Sequence, residues 1–337
     1  MDAPDGTVAA EELSPAELRL AARNHALPLE ALRYDITPAG LHYLLIHYDI
    51  PAVDAAAFLL KVAGAVETPL ILGLADLYER PKVSMPVTFE CAGNGRALLQ
   101  PRPISQPWLT EAVGTAEWAG TPLAPLLAEA GVGDGAVEAL FTGLDYGMEG
   151  GTAQAYERSL PLADLDEALL VYEMNGAPLP PQHGFPLRLV VPGWYGMTNV
   201  KWLARITLLE EPFDGYQNAV AYRIYDADGE PGDPVGRMLP RSLMVPPGVP
   251  DFMTRERFLA PGPVTLRGRA WSGHGPVERV EVSTDGGERF EPAVLDDPVG
   301  PAAWRGWRFA WDAPPGEFVL CSRATDAAGN EQPLAAP

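Results

Sequence analysis

Met85-Pro-Val-Thr-Phe-Glu-Cys-Ala-Gly-Asn-Gly-Arg96 is the stretch from which the rest of the chain can be placed. Val83, Met85, Val87 and Phe89 alternate with Lys82, Ser84 and Thr88, the period-two pattern of a half-buried strand. Pro86 favours an edge or a strand start. The alternation stops at Cys91, Gly93 and Gly95. Glycines there allow close backbone approach and positive φ. The turn therefore presents Cys91, with Asn94 and Arg96 just behind it. A lone thiol beside an arginine at a strand-to-turn junction suits a soft metal ligand or a nucleophile. It equally suits a buried cysteine that packs as a small hydrophobe.

Upstream of this stretch, residues 1–12 form an acidic lead-in. Ser14-Pro15-Ala16-Glu17 has the form of a capping box with proline at the first helical position, so a short helix is expected to about Asn24. Phe58–Gly64 reads as a strand and Leu72–Tyr78 as a short helix. Downstream, Thr121-Pro122 and Gly131 bracket a helix, and 136–142 is a strand ending at Gly143-Leu144-Asp145. Asp145 has the ordinary reading of a turn residue. Leu169–Asn175 and Leu187–Pro192 are further apolar segments. Pro192–Trp202 is a Gly-rich turn feeding a strand over 200–209, and its Asn199 and Lys201 suit a phosphate cradle. Residues 210–261 are rich in Pro and Gly and read as an excursion and a linker. From Pro261 short alternating strands follow, with Asp285-Gly286-Gly287 as a hairpin turn, and these argue a small β-sandwich.

The bulk numbers narrow the function classes. A chain of 337 residues accommodates two domains with separate cores. A net charge of −21 disfavours non-specific binding to nucleic acid or to an anionic membrane. Positive charge is carried almost wholly by arginine, since Lys61, Lys82 and Lys201 are the three lysines. Two cysteines, Cys91 and Cys321, rule out a disulfide framework. No apolar run is long enough to span a membrane. No export signal is visible at the N-terminus, so a cytoplasmic location is expected, with the periplasm the alternative if a leader was trimmed.

Three motifs in order resemble the molybdenum-dependent sulfite oxidase family, over roughly residues 37 to 332. They are Cys91-Ala-Gly-Asn-Gly-Arg96, then Tyr172-Glu-Met-Asn-Gly176 with His183-Gly-Phe-Pro-Leu-Arg188, then Pro192-Gly193 running into Val200-Lys-Trp-Leu203. The resemblance implies an α+β sulfite-oxidase-type molybdopterin domain followed by an all-β immunoglobulin-like sandwich. It divides the chain into a lead-in and helix over 1–34, a molybdopterin-binding catalytic domain over 35–250 and a dimerisation domain over 260–337. It makes Cys91 the protein thiolate on molybdenum, a soft ligand beside the sulfurs of the cofactor. It gives His47, Asp145, His183, Arg188, Asn199, Val200 and Lys201 to the pterin and its phosphate. It also implies that Arg96 faces the oxyanion pocket and that Tyr222 lies near the metal's oxo group.

The departures from the family pattern bear on substrate. Aligned from Thr37-Pro38, the family's Arg-Asn-His falls on Leu45-Ile46-His47, so one substrate arginine is leucine here. Arg23, in Arg23-Asn24-His25, is the candidate to compensate. A second, late arginine has no counterpart before Pro337, and Thr198 replaces a basic residue. A doubly charged oxyanion wants two or three cations. Sulfite oxidation is the expected reaction, with a small S- or N-oxide reduced at the same centre as the alternative. A non-enzymatic binding module and a cysteine hydrolase using Cys91 and His183 are the rival classes. No haem-attachment motif and no Fe–S ligand set is present, so electrons are expected to pass to an external carrier such as a cytochrome. The last eighty or so residues imply a homodimer.

Overall fold

The computed structural model describes residues 13–225 and 230–334, and the backbone of a short strand Thr7–Val8. Apart from that strand, the lead-in over 1–12 lies outside the described residues, as do 335–337. The chain divides into two compact units. One gathers Met1–Tyr43, Pro86–Ala116 and Arg237–Pro337; the other gathers Leu44–Met85 and Glu117–Gly236.

The second unit is built on a five-stranded sheet in the order Leu70–Gly73, Leu59–Gly64, Leu203–Leu209, Glu138–Glu149, Thr152–Pro161. Leu59–Gly64 and Leu203–Leu209 are parallel; the other neighbours are antiparallel. Leu60 and Val62 face inward while Leu59 and Lys61 face water, the alternation that fixes register on a one-sided sheet. Leu60, Leu77, Leu123, Phe141 and Ile206 are buried in one core, each contributing roughly 1.5–3 kcal/mol by leaving water. Elsewhere in this unit, Leu169–Met174 pairs with Trp118–Pro122 and with Arg188–Val190. Asn175 and Gly176 turn it back at φ values of 54° and 77°, the left-handed pair that a two-residue hairpin requires.

In the first unit, Arg241–Met244, Gly262–Trp271, Arg305–Ala313 and Val294–Pro298 form a four-stranded sheet. Glu291–Pro292, Val277–Ser283 and Cys321–Asp326 form a three-stranded one. Leu266, Ala270, Val280, Val282, Trp307 and Ala324 make a shared core, which is the sandwich expected from the alternating strands. The strand Arg241–Met244 pairs with Gly262–Trp271, so the sheet begins within the stretch read as linker. That stretch also holds a π-helical turn, Gln217–Ala221.

Several local expectations shift. The Ser14 capping box forms, with Glu17 reaching back to the Ser14 N–H at 2.8 Å, but the helix closes at Ala21. Leu70–Gly73 is strand, and the helix waits until Leu74–Tyr78. Pro122 caps the helix Leu123–Ala130 instead of entering it, because Val113–Pro122 stays in the sheet to its last residue. The strand Val83–Glu90 is buried on both faces from Val87 to Glu90. Thr88 is covered on its polar side, accepting from Trp304 N at 2.7 Å and lying 2.5 Å from the Thr115 hydroxyl.

Candidate active site

Cys91 and Arg96 belong to the first unit; His47, Asp145, His183, Arg188, Asn199, Val200, Lys201 and Tyr222 belong to the second. The Cys91 turn is braced by its neighbours. Cys91 N donates to Ala112 O at 2.9 Å, and Asn94 N donates to Cys91 O at 2.9 Å. Asn94 Oδ1 accepts from Ala112 N, while its Nδ2 donates to Thr110 O and to Glu90 Oε1. Glu90, 2% exposed, also accepts from Arg241 at 2.7 Å and from Trp271 Nε1 at 2.8 Å. A buried carboxylate is tolerated because both its oxygens are bonded. The residue before the thiol is thus tied to the sandwich strands.

The thiol itself is buried, and burial pushes its pKa up. Arg96, the Gly93 N–H and the Trp108 indole N–H act in the opposite direction. Trp108 Nε1 is buried and meets no hydrogen-bond partner among the described residues. Arg96 folds back across the turn and donates to the Ser105 hydroxyl. It can do so because position 93 is glycine: a Cβ there would sit 1.8 Å from Arg96 Nη2.

In the second unit the motifs His183–Arg188 and Asn199–Lys201 meet. Arg188 donates to His183 O and to Asn199 O, both at 3.0 Å, and stacks 4.7 Å from the Trp118 ring. Asn199 Oδ1 accepts from Val191 N at 2.7 Å, and Leu189 N donates to Val200 O at 2.8 Å. Lys201 Nζ donates to Leu45 O at 2.7 Å and to Gln182 O at 3.3 Å. The backbone of Leu45, the position expected to replace an arginine, thus anchors Lys201. Asp145, 4% exposed, is pushed up to about 6 by burial, with Lys201 pulling it down. Its Oδ1 has no hydrogen-bond partner. Gly143 is needed beside it, since a Cβ would lie 2.6 Å from Asp145 Oδ1 and 2.8 Å from Lys201 O.

Tyr222 and His47 share a hydrogen bond of 2.8 Å between the phenol and Nε2. His47 lies 4.7 Å from the Tyr156 ring. Tyr156 donates to Met197 O at 2.7 Å, and its phenol pKa is raised first by burial. Arg23 is exposed at the end of its helix.

In the first unit the Cys91 sulfur suits a soft metal, and in the second the Asp145 carboxyl and the Lys201 ammonium suit a pterin and its phosphate. Among the described residues no cluster of three or more His, Cys, Asp or Glu that could hold a metal ion is found. A buried, unsatisfied carboxylate oxygen at Asp145 is what a pterin N–H would pair with. Sequence reasoning missed Glu90, Trp108, Ser105, Tyr156 and Arg158. Arg158 carried a signal: it follows Tyr156 by two in a strand, and so shares its inward face.

The chain matches the oxidoreductase molybdopterin binding domain over residues 47–217 and the Mo-co oxidoreductase dimerisation domain over residues 241–336. It is 37% identical over 323 residues to human mitochondrial sulfite oxidase, covering 88% of this chain and 57% of that protein. Against chicken (Gallus gallus) sulfite oxidase it is 36% identical, covering 88% of this chain and 68% of the other. Tomato (Solanum lycopersicum) NADH nitrate reductase is 32% identical, over 92% of this chain and 38% of its own length. The crystal structure of the sulfane dehydrogenase SoxCD from Paracoccus pantotrophus superposes with a TM-score of 0.81 at 28% identity, covering 99% of this chain and 86% of the other. The chain spans a little over half the length of the human enzyme it matches. Motifs, two-domain order and these likenesses agree, and the chain belongs to the sulfite oxidase family of molybdopterin-dependent oxidoreductases.

Proposed function

We propose that the chain oxidises sulfite to sulfate at a molybdenum–molybdopterin centre and hands the electrons to an external one-electron carrier such as a cytochrome. The observation that carries this is the buried Cys91 thiol, supported by N–H donors and faced by an arginine that folds over the same turn. Cys91 is the protein ligand to the metal. The bound cofactor supplies two-electron oxygen-atom transfer, which no side chain can perform. Asp145, His183, Arg188, Asn199, Val200 and Lys201 hold the pterin and its phosphate, with His47 beside them. Arg96 binds the oxyanion. Sulfite and water become sulfate with release of two protons and two electrons; the His47–Tyr222 pair offers a base for one of those protons. The dimerisation-domain match favours a homodimer.

A second reading, reduction of an S- or N-oxide, is favoured by one observation: leucine at position 45 leaves the site with fewer cations for a dianion. The test is addition of millimolar sulfite to the oxidised, molybdenum-loaded protein. Bleaching of the metal's visible absorption supports oxidation of sulfite. An unchanged spectrum, with dimethyl sulfoxide reoxidising the reduced protein, overturns it in favour of the reductase.

A further inference from the structure

Arg158 has no role in the resemblance to sulfite oxidases, and its surroundings give it one. It stands on the strand Thr152–Pro161 and is 2% exposed. Nη1 donates to Gln217 O at 2.6 Å and Nη2 to Val235 O at 3.1 Å. Gln217 opens the π-helical turn that runs directly into Tyr222. Val235 N donates to Tyr222 O at 3.0 Å. The guanidinium thus grips the chain on both sides of Tyr222, and its carbon lies 5.6 Å from the centre of the Tyr222 ring. The same ring carries the hydroxyl bonded to His47. Two carbonyls are a poor reason to bury a full charge, because desolvating a guanidinium is costly and a neutral amide could serve one of them. Burial accordingly pulls the Arg158 pKa below its ordinary value. A single π-helical turn is also a frequent mark of a functional position.

We propose that Arg158 is a positioning residue for Tyr222, fixing the phenol against His47 and supplying there the positive potential for an oxyanion that Leu45 does not supply. This rests on the reading that Tyr222 faces the reacting centre. A cation beneath an aromatic ring, bonded to the backbone on either side of it, restrains the ring's position and lowers the cost of negative charge at its hydroxyl edge.

The test is a double-mutant cycle on the molybdenum-loaded protein, with calorimetric binding of inorganic sulfate as the readout. Arg158→Met is expected to weaken sulfate binding by about tenfold or more, as loss of a buried charge contribution should. Arg158→Lys is expected to recover most of it. In a Tyr222→Phe background, Arg158→Met is expected to change binding by less than about twofold, because two residues acting as one unit are not additive. Equal losses with and without the Tyr222 hydroxyl would overturn the proposal, as would wild-type binding in Arg158→Met. If Arg158→Met does not fold, Arg158→Gln completes the same cycle. A wild-type protein that neither binds sulfate nor is reduced by sulfite contradicts the sulfite reading alone. The cycle is then read on reoxidation of the dithionite-reduced protein by dimethyl sulfoxide, where non-additivity is again expected and additivity overturns the proposal.

Discussion

Gly93 decides where Arg96, the proposed oxyanion contact, can lie. Its missing Cβ leaves room for the Arg96 guanidinium, which would otherwise be 1.8 Å away. The atom displaced is the far end of a flexible side chain, so Gly93→Ala should move Arg96 without unfolding the turn. We expect the sulfite KM to rise about tenfold, the loss of one charged contact, with little change in melting temperature; steady-state kinetics and a thermal melt check it, and an unchanged KM contradicts it. Asp145 gives a pH signature. Its carboxyl is raised to about 6 by burial, above the ordinary value it regains on unfolding, so the folded state holds the proton more tightly. Stability of the cofactor-free protein should therefore fall as pH rises from about 4 to 6, by roughly 3 kcal/mol at most. Asp145→Asn should flatten that slope in urea titrations, and an equal slope in both proteins would refute the assignment. Cys91, Arg96 and Asp145 could be singled out from the sequence as candidates because each sits in or beside a short motif. Glu90's partners were not: Arg241 and Trp271 lie 151 and 181 residues away, and no local pattern shows a contact at that range.

The elements that carry the motifs explain why the motifs have their spacing. Tyr172–Gly176 ends a strand and turns it, and Asn175 does two things there. It adopts φ of 54°, and its Oδ1 accepts from Glu117 N at 2.9 Å. Asn175→Ala should cost about 1–2 kcal/mol from the left-handed backbone and the lost bond, whereas Asn175→Gly should recover the backbone part; chemical denaturation reads the difference. The strands of the sandwich were legible from alternation and from the Asp285-Gly286-Gly287 turn, where both glycines take positive φ. The segment 210–261 was not. Its elements are two to five residues long, too short for any periodicity to appear. The turn that leads into Tyr222 and the first strand of the sandwich therefore read as linker.

At the scale of the whole molecule, net charge bears on the proposed external carrier. A chain at −21 attracts a basic carrier and repels an acidic one. Electron transfer from the reduced protein to a cationic cytochrome should slow several-fold between low and physiological salt, measured by stopped flow. A rate independent of ionic strength would argue against a charge-steered partner. The change of texture near Pro261 argued for domains that follow one another along the chain, whereas the first compact unit takes three separate stretches, the Cys91 turn in one of them. Residue, element and domain thus converge on a single claim, that the Cys91 sulfur is the protein's ligand to molybdenum. X-ray absorption at the molybdenum edge measures this directly on protein from a molybdenum-replete host. The wild type should show one more sulfur neighbour per metal than Cys91→Ser; equal sulfur counts in the two proteins, or a wild type that takes up no molybdenum, would contradict the account.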